Sequence, residues 1–274
     1  MKQLLDTVAT IFALSMARYI AIAGIAFATC YWIFRKRMVR SKIQPRTATS
    51  HDFLREMAHS TLSTVVFSLI AYILLYTPVR QYTQVYPHLS DHSLWWFWAS
   101  VVLGLVIHDM YFYWIHRMLH HKWFFRHVHA LHHRSTNPSP WASYSFHVVE
   151  AVIEAMVLLV IAGLLPIHPL ALLYFTISAF VINVYGHLGY EIIPLFLRRT
   201  IVFEIVNTSV HHNLHHSKCK GNYGLYFRIW DRLMGTENPK YVEEFDRVGL
   251  ERSRQNPAPK ATSTPKVSAS PYHA

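Results

Sequence analysis

Charge is what this sequence has least of. Asp, Glu, Lys and Arg together make up 15% of the 274 residues, against roughly a quarter in an ordinary soluble domain. Hydrophobic residues reach 52%, so much of the surface is expected to face lipid rather than water. Acidic residues are the scarcer sign, 15 against 26 Lys and Arg, for a formal charge of +11. The surplus is bunched: residues 35–42, "RKRMVRSK", hold five basic side chains directly after an apolar run. Bunching of that kind marks the positive flank of a membrane span and argues against a nucleic-acid partner.

Cysteine is nearly absent. Cys30 lies in an apolar segment and Cys219 in a basic loop, which excludes a disulfide framework and a thiolate zinc site. Several motifs are missing as well. A Rossmann-type GxGxxG, a flavin site and a CxxCH haem attachment are lacking, so electrons would have to come from a separate donor. The absence of HExxH argues against a zinc hydrolase. No small-residue cleavage pattern follows the first apolar run, which reads as a retained span. There is no repeat of fixed period.

What is present begins with five apolar runs, near residues 8–34, 62–78, 94–115, 148–165 and 169–185. A spanning helix needs about 20 residues. Arg18 interrupts the first run and is expected to snorkel. "GLLPIHP" at residues 163–169 carries helix-ending signals, so the last two runs read as a helical hairpin. With residues 35–42 in the cytosol, alternation returns His116, His187 and His211 onward to the same side. Residues 117–147 carry four Lys or Arg and no acid, in agreement. The expected fold is all-α, a polytopic membrane protein with four or five transmembrane helices and a cytosolic, histidine-rich helical cap holding a di-metal site. Residues 1–93 form an N-terminal membrane region, 94–240 a catalytic domain, and 241–274 a polar tail. The tail is rich in Pro, Ser and Thr beyond Arg254 and is expected to be disordered.

Fifteen of the 20 histidines lie between His108 and His216. Eight follow compact patterns: HxxxH at His116 and His120, and HxxHH at His129, His132, His133 and again at His212, His215, His216. Residues three or four apart share a helical face, and neutral imidazole suits iron, zinc, copper or nickel. At four nitrogens per ion, eight ligands imply two metals. His187 is the favoured ninth ligand, ahead of His147, while His121 and His211 abut boxes and can replace a neighbour. Asp109, seven residues before His116, is placed to accept a hydrogen bond from a ligand imidazole; a polar residue at a helix interface is the competing reading. His51, His59, His88, His92, His168 and His273 read as ordinary interfacial side chains, His127 as a headgroup contact and His108 as structural.

These motifs, "HDMYFYWIHRMLHH", "FRHVHALHHRS", "SYSFHVVE", "GHLGYE" and "HHNLHHSKCKGNYGLYFRIWDRLMGT", make residues 94–236 resemble the fatty acid hydroxylase and sterol desaturase superfamily of integral-membrane di-iron oxygenases. The resemblance implies metal-ligand roles for His116, His120, His129, His132, His133, His212, His215 and His216, and for His187. Asn183 stands where some branches carry a further histidine. Also implied are two non-haem Fe ions, with zinc able to occupy the same ligands, and O2 as co-substrate. The implied partners are a lipid from the bilayer, sterol or fatty acyl, and an electron donor such as ferredoxin or cytochrome b5 with its reductase. The expected reaction is hydroxylation or desaturation. The aromatics and Trp230 of the last motif are expected to dock the cap on the membrane region. The competing class, a histidine-rich metal-binding or transport protein, predicts ionisable residues deep in several spans. Lack of a fused cytochrome domain and of a C-terminal dilysine signal favours a bacterial plasma membrane over endoplasmic reticulum.

Overall fold

The computed structural model describes residues 2–254, and among them helices and turns are present but no strand. Four helices are long and apolar enough to cross a membrane. They are α1 (Lys2–Phe27, continued by a π-helical turn Ala28–Ile33), α2 (Ser50–Tyr76), α3 (Leu94–Leu119) and α7 (Pro169–Gly186). Between and after them come α4 (Lys122–His127), α5 (Val148–Ala155), α6 (Val157–Leu164), α8 (Ile201–Ile205), α9 (Ser209–Lys218), α10 (Ile229–Leu233) and α11 (Tyr241–Ser253).

Two apolar runs differ from expectation. α2 begins at Ser50 rather than near residue 62, because Thr49 and Asp52 form a reciprocal capping box ahead of the hydrophobic stretch. The run over residues 148–165 is not one continuous helix. The backbone tightens at Met156, whose N–H is shared between the carbonyls of Val152 and Ile153 (3.1 and 3.2 Å). The resulting α5 turns Glu150 and Glu154 into the interior, a placement that a lipid-exposed straight helix would not favour.

Small hydroxyl residues let the helices approach. On α2, Thr64 and Ser68 bond back to the carbonyls of Ser60 and Thr64 (2.8 and 2.7 Å), and Ser60 donates to the Trp141 carbonyl (2.8 Å). On the other side of that turn, Tyr19 of α1 donates to the same carbonyl (2.9 Å). The N-terminal helices are thus packed onto the histidine-bearing region rather than standing apart from it.

The two ends of the bundle are pinned differently. At one, Tyr86 N–H donates to Ile167 O (3.2 Å) and Gln84 N–H to Ala162 O (2.7 Å), joining the α2–α3 loop to the hairpin tip. At the other, Ile43 N–H donates to Gly189 O (3.2 Å) and Glu191 N–H to Ser41 O (2.8 Å). The basic segment 35–42 therefore sits at the same end as His187. The expected tail from residue 241 is also corrected in part: α11 buries Tyr241, Phe245 and Val248 against Phe203, Val210 and Leu214. An apolar spacing of three and four residues within a polar stretch accounts for it. Residues 255–274, including the Pro/Ser-rich stretch and His273, lie outside the described residues.

Candidate metal centre

The HxxxH pair ends α3, the first HxxHH occupies a 3₁₀ turn (His129–Arg134), the second lies on α9, and His187 caps α7. All nine side chains converge. His116, His120, His129, His133 and His215 form one group, and His132, His187, His212 and His216 another. In the first, Nε2 atoms lie 3.1 Å apart for His116–His129, His129–His133, His133–His215 and His215–His120. In the second, the spacings are 3.4 Å for His132–His187 and 3.1 Å for both His187–His212 and His212–His216.

Each HxxHH box is split between the groups rather than acting as one clamp. On α9 the reason is angular: successive side chains point about 100° apart, so adjacent His215 and His216 cannot aim at one centre. In the first box the adjacent His132 and His133 also fall in different groups. The i, i+4 pairs His129/His133 and His212/His216 stay together.

The nitrogens fit metal ions. Ligands at about 2.0–2.1 Å from a centre stand about 3.0 Å apart at right angles and about 3.4 Å apart tetrahedrally, which brackets the observed spacings. Second, the ring tautomers are set from outside. A carbonyl can only accept, so Nδ1 carries the proton in His116 (to Tyr223 O, 2.8 Å), His120 (Cys219 O, 3.1 Å), His132 (Ser145 O, 3.3 Å), His187 (Asn183 O, 2.9 Å) and His215 (Gly221 O, 2.7 Å). Each Nε2 lone pair then points into its group, the arrangement that orients metal-bound histidines.

Three of these acceptors, Cys219, Gly221 and Tyr223, belong to the loop after the last box. Its part is played by backbone rather than side chains. Gly221 has φ +74°, and a Cβ there would lie 2.6 Å from Thr236 O, so glycine alone fits. Trp230 stacks on Tyr113 of α3 (centroids 5.9 Å), docking the cap on the membrane helix.

Asp109 does not meet a ligand imidazole. Its Oδ1 accepts the N–H groups of Tyr226 (2.7 Å) and Phe227 (3.2 Å), tying this same loop to α3. Seven residues along a helix put it on the His116 face but two turns away, out of reach of the ring. Asp109→Ala should therefore lower stability by about 1–3 kcal/mol per orphaned N–H, read as a fall in thermal midpoint.

The acid that does meet a ligand is Glu150 of α5, whose Oε1 lies 2.7 Å from His129 Nδ1 with both groups buried. The sequence signal was one of two acids in an apolar run, overshadowed by His147, which instead caps α5 by accepting from Val149 N–H (3.2 Å). A second buried acid, Glu56 of α2, accepts from Ser135 (2.7 Å) and Ser139 and holds the loop that follows the first HxxHH. Asn183 donates to Ser143 O (2.8 Å), and His121 stands just before α4 in neither group, its side chain making no capping bond. His211 is buried 3.8 Å from Asp231, outside both groups. Cys219 Sγ faces His133 Nδ1 (3.5 Å), away from the metal-facing nitrogen. Among the described residues, His51, His59, His88, His92, His108, His127 and His168 are likewise in neither group.

Burial first, and neighbouring imidazoles second, hold His129, His133, His212 and His216 well below the ordinary imidazole range. Burial pushes His187 down to about 4. The rings are thus neutral, as metal ligation requires. The sign for stability follows: between these depressed values and about 6.5 the unfolded chain binds more protons than the native one, so stability is full above that window and is lost as pH falls through it. The chelator-treated protein should show a thermal midpoint that drops from about pH 7 to pH 5. A flat profile would contradict the neutral cluster.

Beneath the histidines a cavity of about 460 Å³ runs between α1, α2, α3 and α7, within the roughly 300–1,000 Å³ range of small-molecule sites. Its near wall includes Phe112, 4.8 Å from the His116 ring, and Phe146, 5.0 Å from His132.

Residues 101–236 match the sequence model of the family described as fatty acid hydroxylase. Lathosterol oxidase of Rattus norvegicus is 27% identical over 248 residues, covering 89% of this chain and 79% of that protein. The Homo sapiens lathosterol oxidase is 29% identical over 194 residues, 69% of this chain and 62% of its own. A Delta(7)-sterol 5(6)-desaturase of Gibberella zeae is 26% identical over 225 residues, covering 82% and 66%. No solved structure matches the chain.

Proposed function

The chain belongs to the fatty acid hydroxylase and sterol desaturase superfamily, and from that premise we propose that it is a multi-pass membrane oxidoreductase that hydroxylates or desaturates a lipid, using two non-haem iron ions, O2 and electrons from a separate carrier. The carrying observation is the pair of imidazole groups, five and four nitrogens, directly above an apolar cavity. Nine neutral donors and no thiolate suit iron, with zinc able to compete.

In this reading His116, His120, His129, His133 and His215 hold one ion, and His132, His187, His212 and His216 the other. Bound there, the irons would supply the O2-derived oxidising power that breaks an unactivated C–H bond. The chain's own residues do the remaining work. Carbonyls of Cys219, Gly221 and Tyr223, with Glu150, keep the rings aimed. Phe112 and Phe146 close the site against water and press the chain of the substrate toward it. The cavity gives a lipid a dry route from the bilayer, which burial of its hydrocarbon favours.

The histidine end faces the cytosol in this proposal, because basic residues 35–42 share that end and positive flanks stay inside. His120, the partly exposed member, lies on the side where a ferredoxin or cytochrome b5 would deliver electrons. Residues 94–240 form the catalytic unit, with α1 and α2 completing the cavity.

The test is aerobic incubation of membranes carrying the protein with iron and a reductant system, followed by untargeted lipid mass spectrometry. Gain of one oxygen atom in a lipid indicates hydroxylation, and loss of two hydrogens desaturation. No change in a preparation with both ions bound and a working donor would move the assignment to metal storage or transport.

A further inference from the structure

The cavity wall is apolar along most of its length, and partway along it, between the histidine end and the apolar end lined by Ile11, Leu75 and Pro169, it carries a cation. Arg18 is the single ionisable side chain of Asp, Glu, Lys, Arg or His type between residues 7 and 33 of the first span, and it lines the cavity instead of snorkelling to the surface. Its Nη1 donates to Thr176 Oγ1 of α7 (2.8 Å). Its Nε is buried with no partner among the described residues, and no carboxylate there pairs with it. Glu154, the acid on the same wall, makes no ion pair with it. A guanidinium offers five N–H donors; here one meets a neutral hydroxyl.

An uncompensated cation at membrane depth is costly and marks a binding or transport role. A carboxylate or phosphate answers it with charge and with two acceptors matching the planar fork. A lone hydroxyl would supply neither. Position along the fold sets the length of the ligand. Thr176 lies eleven residues before His187 on α7, a rise of about 16 Å, and the near end of the cavity touches the rings of His116 and His132 through Phe112 and Phe146.

We propose that this cavity takes a single-chain lipid with an anionic end, carboxylate or phosphate, paired with Arg18. Resting on the oxidoreductase reading above, the carbon presented to the histidines then lies about a dozen bonds from that end. A substrate oxidised close to its own polar group does not fit this placement.

The test is equilibrium binding to the full chain in neutral phosphatidylcholine nanodiscs, with radiolabelled palmitate, hexadecyl phosphate and hexadecanol as probes. Saturable binding of palmitate, of hexadecyl phosphate or of both is expected, with hexadecanol weaker by about tenfold or more. Palmitate alone would identify a carboxylate and hexadecyl phosphate alone a phosphate. Arg18→Met should reduce anion binding to the hexadecanol level, and Arg18→Lys should retain part of it. Hexadecanol binding as well as both anions, no saturable binding of any probe, or undiminished anion binding by folded Arg18→Met would each overturn the proposal. The wild-type comparison decides alone if the variant does not fold. Lipid oxidation without anion preference would remove this inference and leave the oxidoreductase; anion preference with no lipid oxidised by the iron-loaded protein would do the reverse.

Discussion

His215→Ala should reduce lipid oxidation by at least about a hundredfold, taking as a floor the 10–100-fold effect of removing groups that merely support a ligand. His215 is fully buried on α9, its Nε2 lies 3.1 Å from both His120 and His133, and its ring is 4.4 Å from that of His116. Its Nδ1–H is held by Gly221 O at 2.7 Å. Alanine leaves a gap in the middle of the five-nitrogen group while the other group keeps all four of its members. Metal analysis of the purified variant should show about half the wild-type iron, with membrane insertion unchanged. Wild-type turnover with full iron content would remove His215 from the ligand set.

Glu150→Ala is expected to have the second largest effect, a loss of about 10–100-fold in metal affinity and activity together. The carboxylate accepts from His129 Nδ1 at 2.7 Å inside an apolar helix, and its other oxygen has no partner among the described residues. It touches no metal-facing nitrogen, so it acts as a positioning residue by setting the tautomer and orientation of His129. Glu150→Gln keeps an acceptor at the same place and should recover much of the loss. Competition with a chelator separates this role from bulk destabilisation: faster iron release at unchanged thermal midpoint supports it. Equal impairment in both variants with a lowered midpoint would make Glu150 structural only.

Much of the architecture was legible because membrane helices declare themselves locally. A run of apolar residues about as long as a bilayer is thick has few alternatives, and α1, α3 and α7 follow their runs closely. α2 and the 148–165 segment did not, for reasons that hydrophobicity omits. A capping box extended the first, and two inward-facing acids accompany the break in the second. α11 was missed because a polar stretch with a narrow apolar stripe resembles a tail by composition.

The histidine patterns by themselves determined which side chains could gather at one end of the protein, since spacing along a helix sets the face each occupies and the spans set the end. Only the tertiary structure decided how they divide, five and four, because the groups combine residues up to about a hundred positions apart and on α9 the angle between adjacent side chains splits the box. The acceptors behind the rings were equally out of reach. A backbone carbonyl has no signature in residue type, so Cys219, Gly221 and Tyr223 acquire their roles from the path of the loop, and Glu150, Asp109 and Arg18 from the helices packed against them.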